Sequence, residues 1–182
     1  MTNTIDDSEL VKKLQDPAQR RMAFEQMVNK YTSRLYWQIR HMVLSHDDTN
    51  DILQDTFIKA WTNLDNFRCE AKLSTWLYRI AINECLTALQ KQKTNIDIDN
   101  PDVDIANHLE SDPYFDGEET DIMLQKALAT LPEKQRLVFN MKYFQEMKYE
   151  EISDVLQTSV GALKASYHIA VQKIEEYFHQ ND

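Results

Sequence analysis

Turn-forming residues are scarce in this chain, which has two glycines and four prolines in 182 residues. Turns between strands depend on them, because glycine supplies positive φ angles and proline fixes the first turn position. A sheet-rich fold would leave most of its turns without suitable residues. The sequence therefore predicts an all-α protein, and its 42% hydrophobic content is sufficient for packed cores.

The charge distribution divides the chain into three parts. The formal net charge is −10, and residues 94–121 alone hold ten acidic residues and no lysine or arginine. This segment also contains two prolines and shows no helical period, so mutual repulsion of its carboxylates predicts an extended, flexible linker. We expect two small helical domains, residues 1–93 and 122–182, joined by this acidic linker.

The C-terminal domain is predicted to contain a helix-turn-helix. A short helical pattern in YEEISDVL is followed by QTS and by a longer helical pattern that begins at Val160. Thr158 or Ser159 can cap the longer helix, and two helices joined by about three residues form the unit that places its second helix in the DNA major groove. A plain three-helix bundle with a solvated face fits the same spacing equally well.

One of the two glycines lies in the first turn of the longer helix. Gly161 is on the face opposite the apolar stripe, and glycine costs about 1 kcal/mol inside a helix relative to alanine. We therefore expect the helix backbone to approach a phosphate closely at this point. The DNA contacts predicted for this domain are Ser159, Gly161, Lys164 and His168.

The C-terminal stretch LPEKQRLVF…YEEISDVLQTSVGALKASYHIAVQKI resembles the promoter-reading domain of the extracytoplasmic-function (ECF) sigma factors of bacterial RNA polymerase. The family pattern is approximately LP…R.VF…Y.EIA..LG.S.GTVKSRL.RA, and the match extends from Leu131 to Ala170. Gln157 stands where a turn glycine is usual, which predicts a strained turn. Four further departures remove donors for phosphates and bases, so the family's usual promoter sequence is not carried over: Ala162, Ala165, Ser166 and Ile169.

In the N-terminal half, DDTNDILQDTFIKAWTNL predicts an amphipathic helix with an acidic outer edge. For a helix taken alone, the better interpretation of such an edge is a solvated face. The segment resembles, however, the part of the sigma factors that grips the coiled coil of the largest polymerase subunit. The resemblance implies binding to basic side chains of core RNA polymerase through Asp48, Asp51, Gln54 and Asp55.

The next segment, NFRCEAKLSTWLYRIAINECLTALQKQK, interleaves basic and aromatic residues. Lysine and arginine neutralise phosphates and rings stack on unpaired bases, although Trp76 or Tyr78 can equally be a core residue. STWLYRIAINE resembles the family helix WL..IARN, which opens the promoter at its minus-ten element. By that resemblance the loop NLDNFRCEAK holds a flipped-out base, Trp76 borders the point of strand separation, and the DNA contacts are Arg68, Lys72, Trp76, Arg79 and Asn83.

No arrangement of residues predicts catalysis. The five histidines are scattered without ligand spacing, Cys69 and Cys85 have no partner in sequence, and no glycine-rich phosphate loop is present. We therefore expect no enzymatic activity, no bound metal and no cofactor. Two other classes remain: a self-sufficient helix-turn-helix regulator, which would be expected to carry more positive charge or a dimer interface, and an adaptor that binds only proteins.

The two resemblances occur in the expected order and together span most of residues 24–170. They imply a dissociable sigma subunit whose partners are core RNA polymerase and promoter DNA, both duplex and melted, and they leave room for an anti-sigma factor. The near-neutral charge of each predicted domain agrees, because DNA binding without polymerase would then be weak. No apolar run is long enough to span a bilayer, so we expect no membrane insertion. Cys69 and Cys85 are far apart and form no CxxC pair, which suits a reducing cytoplasm, so we expect a cytoplasmic location.

Overall fold

A computed structural model of the chain describes residues 6–68, 71–95 and 119–181. Within these ranges it contains eight α-helices, one short 3-10 turn and no strand, which confirms the all-α prediction. Most of the predicted acidic linker, residues 96–118, lies outside the described residues. The chain forms two compact units: Met1–Ile39 with Asp47–Lys91, and Arg40–His46 with Gln92–Asp182.

Unit 1 consists mainly of four helices, named here in chain order. They are α1 (Asp7–Gln15), α2 (Arg20–Val43, whose last four residues belong to unit 2), α3 (His46–Thr62) and α4 (Leu73–Asn95), with the 3-10 turn Leu64–Asn66 after α3. The sequence FEQMVNKYTSRLYWQIRHMV has apolar residues at helical spacing, and this apolar stripe of α2 faces the core. Its buried members are Met27, Tyr31, Leu35 and Ile39.

Helix α1 has no counterpart in the sequence-based prediction. It buries Leu10 and Leu14, and the carboxylate of Asp7 accepts hydrogen bonds from the Tyr31 hydroxyl at 2.7 Å and from Lys30 Nζ at 2.8 Å. Burial acts to raise the pKa of Asp7, but the hydrogen bonds from Lys30 and Tyr31 outweigh it and the pKa is lowered. Two buried leucines and one partly exposed ion pair thus attach a segment that is otherwise polar.

Unit 2 contains the other four helices. They are α5 (Glu119–Thr130), α6 (Glu133–Tyr143), α7 (Tyr149–Leu156) and α8 (Val160–Asn181). The helices α5, α6 and α7 all pack against α8. The core between α5, α6 and α8 is formed by Ala127, Leu128, Leu131, Phe139, Ala170 and Ile174.

The segment Arg40–His46 packs against α6 within unit 2. Arg136 Nε donates to the Met42 carbonyl at 3.1 Å, and the His41 ring stacks on Phe144 with centroids 4.3 Å apart. Burial, and then the charge of Arg40, lower the pKa of His41 to about 4. His41 is therefore neutral at physiological pH and behaves as a core residue.

Helices α7 and α8 form the predicted helix-turn-helix. The hydroxyl of Ser159 accepts a hydrogen bond from the Ala162 amide at 3.4 Å, so Ser159 is the residue that caps α8. Thr158 instead donates to the Leu156 carbonyl at 3.1 Å. Between the helices, Gln157 has φ 50° and ψ 44°, the left-handed conformation in which a glycine would avoid a Cβ clash.

Replacing Gln157 with glycine is expected to stabilise unit 2 by about 0.5–1 kcal/mol, because glycine adopts the left-handed conformation without strain. This value is a net effect, since glycine also raises the conformational entropy of the unfolded chain. Hydrogen exchange of the α7 and α8 amides measures this unit directly. Gln157→Ala is the control, since it removes the side-chain hydrogen bond to the Asp154 carbonyl without relieving the strain. A Gly variant that is no more stable than Gln157→Ala would contradict the prediction.

Candidate polymerase and nucleic-acid interfaces

The acidic edge of α3 lies on the solvent side of unit 1. Asp51, Gln54 and Asp55 are exposed, and Asp48 is half-buried in the first helical turn. The opposite side of the helix is buried, through Ile52, Thr56 and Ala60. Within the described ranges, Asp51 and Asp55 have no ion-pair partner, so their carboxylates are available to a basic surface on another molecule.

An apolar patch continues this edge towards the end of α3. Ile58 is 53% exposed and Trp61 is 44% exposed, and the Trp61 ring meets Phe24 of α2 edge-on with centroids 4.9 Å apart. Met22, also near the start of α2, is exposed as well. The sequence analysis did not identify this patch, although Ile58 follows Asp55 by three residues and therefore lies on the same side of the helix.

The exposed face of α4 carries three of the residues predicted to contact DNA. Trp76, Arg79 and Asn83 are spaced three and four apart, and Arg79 and Asn83 are exposed. Trp76 is half-buried, with its ring 4.9 Å from that of Phe67. Tyr78 is the buried aromatic residue of the pair considered above, and its burial raises its pKa. Trp76 is therefore left at the edge of the core.

The loop before α4 borders a small cavity in unit 1. The 3-10 turn orders its first part, and Arg68 and Lys72 are exposed on either side of residues 69 and 70, which lie outside the described residues. The cavity has a volume of about 110 Å³, and an ion pair of 2.9 Å between Arg20 and Asp65 lies at its wall. Its lining combines apolar and polar side chains: Leu14, Gln15, Arg20, Leu64, Asp65 and Phe67.

In unit 2, the four predicted contacts lie together on the exposed face of the N-terminal half of α8. Ser159, Gly161, Lys164 and His168 are all exposed. A Cβ placed on Gly161 would meet no described atom within 4 Å. Packing within the described chain therefore does not require a glycine here. A bound molecule that approaches the helix backbone closely would require one.

Two residues that the sequence analysis missed adjoin this face. Tyr149 is the first residue of α7, and the ammonium groups of both Lys142 and Lys164 lie over its ring, at 4.9 Å and 5.7 Å from the centroid. Lys164 is thus held against α7. Helical periodicity could not reveal this, because the three residues belong to three different helices.

Two features are absent from the described residues. No helix there combines the length and the hydropathy needed to cross a lipid bilayer. No group of three or more His, Cys, Asp or Glu side chains there is arranged to hold a metal ion.

Two family models match the chain, one in each half. Sigma-70 region 2 matches residues 27–94, and Sigma-70, region 4 matches residues 121–174. The first match covers most of α2, α3 and α4, which carry the acidic edge and the face around Trp76. The second covers the helix-turn-helix.

Curated relatives match over most of their length. The ECF RNA polymerase sigma factor SigW of Bacillus subtilis (strain 168) is 30% identical over 156 residues, which cover 80% of this chain and 83% of SigW. The ECF RNA polymerase sigma-E factor of Haemophilus influenzae is 28% identical over 185 residues, which cover 96% of each chain. The RNA polymerase sigma-H factor of Pseudomonas aeruginosa is 28% identical over 186 residues, covering 93% of this chain and 92% of the relative.

Solved structures show the same fold. The sigma factor RpoE, solved in complex with the anti-sigma factor NepR from Bartonella quintana, has a TM-score of 0.66 and 22% identity, covering 86% of this chain and 96% of that one. CnrH, solved in complex with the cytosolic domain of CnrY, has a TM-score of 0.62 and 21% identity, covering 97% and 99%.

Proposed function

The chain belongs to the ECF family of RNA polymerase sigma factors and directs transcription initiation, and from that premise we propose which of its surfaces performs each step. Sigma factors are regulatory proteins. We propose that this one has no enzymatic activity of its own and acts in the cytoplasm, where it lends promoter specificity to a polymerase that makes RNA. The assignment of surfaces is supported chiefly by one observation: most of the predicted contact residues in both matched regions are exposed.

The acidic edge of α3 is proposed to dock on core polymerase. Asp51 and Asp55 are exposed and without an ion-pair partner in the described ranges, which suits them to basic side chains of another protein. Gln54 lies between them and Asp48 begins the edge. The apolar patch with Ile58 and Trp61 extends the same surface and would add buried area to charge complementarity.

The exposed face of α4 and the loop before it are proposed to open the minus-ten element. In this proposal Arg79 and Asn83, both exposed, hold the DNA backbone and a base edge, while the exposed Arg68 and Lys72 flank the loop. The half-buried ring of Trp76 can support the last stacked base pair. A flipped-out base needs an enclosed place, since unstacking costs a few kcal/mol, and the cavity beside the loop supports that role.

Helix α8 is proposed to enter the major groove at the minus-thirty-five element. Its N-terminal half combines the Ser159 cap, the unobstructed backbone at Gly161 and the exposed side chains of Lys164 and His168. A helix N-terminus carries unpaired amides that favour phosphate. We further propose an anti-sigma factor as a partner, supported by the similar structure of RpoE, which was solved in complex with the anti-sigma factor NepR.

Reconstitution with core polymerase tests the proposed function as a whole. The purified chain should convert core polymerase, which alone starts without promoter preference, into an enzyme that initiates at defined sites on DNA selected from genomic fragments. Mapping transcript 5′ ends with and without the chain measures this. Initiation that stays unselective in the presence of the folded chain would refute the proposal.

Replacing Gly161 with alanine is expected to separate stability from DNA binding. The variant should stabilise unit 2 by about 0.5–1 kcal/mol, because alanine favours the helix and the new methyl group has open space. It should nevertheless bind minus-thirty-five DNA less tightly, because the methyl group separates the backbone from a phosphate. Hydrogen exchange and holoenzyme binding measure the two effects. A variant that is more stable and binds DNA as well as wild type would show that no phosphate approaches here.

A further inference from the structure

Arg20, the first residue of α2, connects three elements of unit 1. Its Nε donates a hydrogen bond to the Leu14 carbonyl, in the last turn of α1, at 3.1 Å. Its Nη1 lies 2.9 Å from a carboxylate oxygen of Asp65, in the 3-10 turn that follows α3. One guanidinium at the start of α2 therefore bridges the end of α1 and the 3-10 turn.

The contact with α1 fixes the direction in which the guanidinium points. The last four carbonyls of a helix have no partner inside the helix, and the negative end of the helix dipole favours a cation there. Leu14 is buried, so its carbonyl belongs to a part of the unit that is held by packing. The guanidinium is planar and rigid, so once Nε of Arg20 is bound, the position of Nη1 beside Asp65 is set as well.

The 3-10 turn is held from two sides. Leu64 and Phe67 are buried and hold it from the core, and the Phe67 amide donates to the Leu64 carbonyl at 3.1 Å. The Asp65 side chain points the other way, with 77% of its surface exposed, and Arg20 holds it there. The ion pair therefore restrains the tilt of a turn whose inner side is packed.

Phe67 connects the turn to Trp76. The two rings lie with their centroids 4.9 Å apart and their planes inclined by 37°. Phe67 follows Asp65 by only two residues, so a change in the tilt of the turn would move the ring against which Trp76 packs. Close-packed rings transmit such a shift because little free volume separates them. A continuous set of contacts thus leads from Arg20 to Trp76.

The exposure of the ion pair indicates what it contributes. Water screens a pair whose carboxylate is mostly exposed, so such a pair adds little to the stability of the folded chain. Loss of the Arg20–Asp65 pair should therefore leave unit 1 folded. Its effect is expected where the orientation of a side chain matters, which in this unit is the support of a base pair by Trp76.

We propose that Arg20 is a positioning residue for promoter opening: together with Asp65 it fixes the 3-10 turn and Phe67, so that Trp76 meets the last stacked base pair in one orientation. This inference rests on the proposed function of α4. It gives the last turn of α1 a part in opening, as the support from which Arg20 acts. Arg20 performs this role without touching DNA.

Promoter opening by holoenzyme with paired variants tests the proposal. The full chain is reconstituted with core polymerase, and 2-aminopurine fluorescence in the minus-ten element measures opening per bound complex at a promoter that wild-type holoenzyme selects. Arg20→Ala and Asp65→Asn should each slow opening about two- to fivefold, with polymerase affinity and thermal unfolding close to wild type. The double variant should be no slower than either single variant, because the two residues act as one unit.

Arg21→Ala is the matched control, and it should open the promoter as wild type does. It removes the same charge from the next residue of α2, whose side chain is 89% exposed and pairs with Glu25 one turn along the helix. In a Trp76→Ala background, Arg20→Ala should cause no further loss of opening. A further loss there would overturn the route through Trp76.

The sign of the Asp65→Asn effect separates positioning from direct DNA contact. If Arg20 bound DNA itself, Asp65→Asn would free its guanidinium, and opening would be as fast as wild type or faster. That result overturns the inference, as does an Arg20→Ala variant that matches Arg21→Ala. Equal losses of opening, polymerase affinity and thermal stability in Arg20→Ala would show a purely structural role and overturn it too.

The Trp76→Ala variant separates failure of the inference from failure of the proposed function. If Trp76→Ala slows opening and Arg20→Ala does not, only the inference is wrong. If Trp76→Ala opens the promoter as wild type does, the proposed role of the α4 face is wrong, and the inference fails with it.

Discussion

Replacing Asp51 and Asp55 together with alanine is expected to weaken binding to core RNA polymerase by about 10- to 100-fold while leaving the fold intact. The expected loss is large because basic side chains on the polymerase would lose their partners and stay partly desolvated. The cost to folding should be within about 0.5 kcal/mol, because both residues are exposed and form no ion pair in the described ranges.

Titration of labelled chain with core polymerase measures the affinity, and thermal unfolding measures the stability. The matched control is Glu9→Ala with Glu25→Ala, which removes two exposed carboxylates from α1 and α2 of the same unit. The control should bind almost as wild type does. If the variant with Asp51→Ala and Asp55→Ala bound core polymerase as tightly as wild type, the docking assignment would be wrong. An equal loss of affinity in the control would indicate a non-specific effect of net charge.

Helical periodicity predicted the elements that have a wide apolar stripe. The buried positions of α2 recur every three or four residues from Met27 to Ile39, and those of α8 include Leu163, Ala170 and Ile174. Helix α1 was not predicted because it is short and polar, and only Leu10 and Leu14 are buried. Its attachment depends on contacts with α2, which a local pattern cannot show.

The candidate surfaces were predictable where one helix provides all their residues. The outward position of Asp51 and Asp55 on α3 follows from helical spacing, whereas Arg79 and Asn83 on α4 were identified through the family resemblance. The structure exposes all four. Surfaces that combine several helices could not be foreseen. The ring of Tyr149 between Lys142 and Lys164 is one example, and the contact of Trp61 with Phe24 is another.

Because its two domains are nearly neutral, this sigma factor is expected to depend on polymerase for most of its affinity for DNA. The excess of acidic residues lies in residues 94–121, and the flanking parts have almost balanced charge. Non-specific affinity for DNA comes mainly from neutralised phosphates, so a chain with few surplus cations binds free DNA weakly. Exposed cations such as Lys164 are then expected to act locally, once polymerase has brought the DNA close.

Trp76→Ala is expected to retain polymerase binding and to reduce promoter opening by about tenfold or more. The ring lies at the N-terminal end of the exposed face of α4, three residues before Arg79. It packs beside Phe67, where it can support the last stacked base pair. Stacking of a base on an aromatic side chain contributes about 1–3 kcal/mol, and a tenfold effect corresponds to about 1.4 kcal/mol.

The competing role of Trp76 is structural, and the two roles predict different measurements. Full burial would make its truncation cost about 3–5 kcal/mol in folding, whereas the observed half-burial predicts a smaller loss. Fluorescence of 2-aminopurine in the minus-ten element reports melting per bound complex, and thermal unfolding reports stability. Trp76→Phe is the matched control, because it keeps a ring against Phe67 and should restore much of the opening. Normal opening by a strongly destabilised Trp76→Ala variant would assign the residue to the core alone.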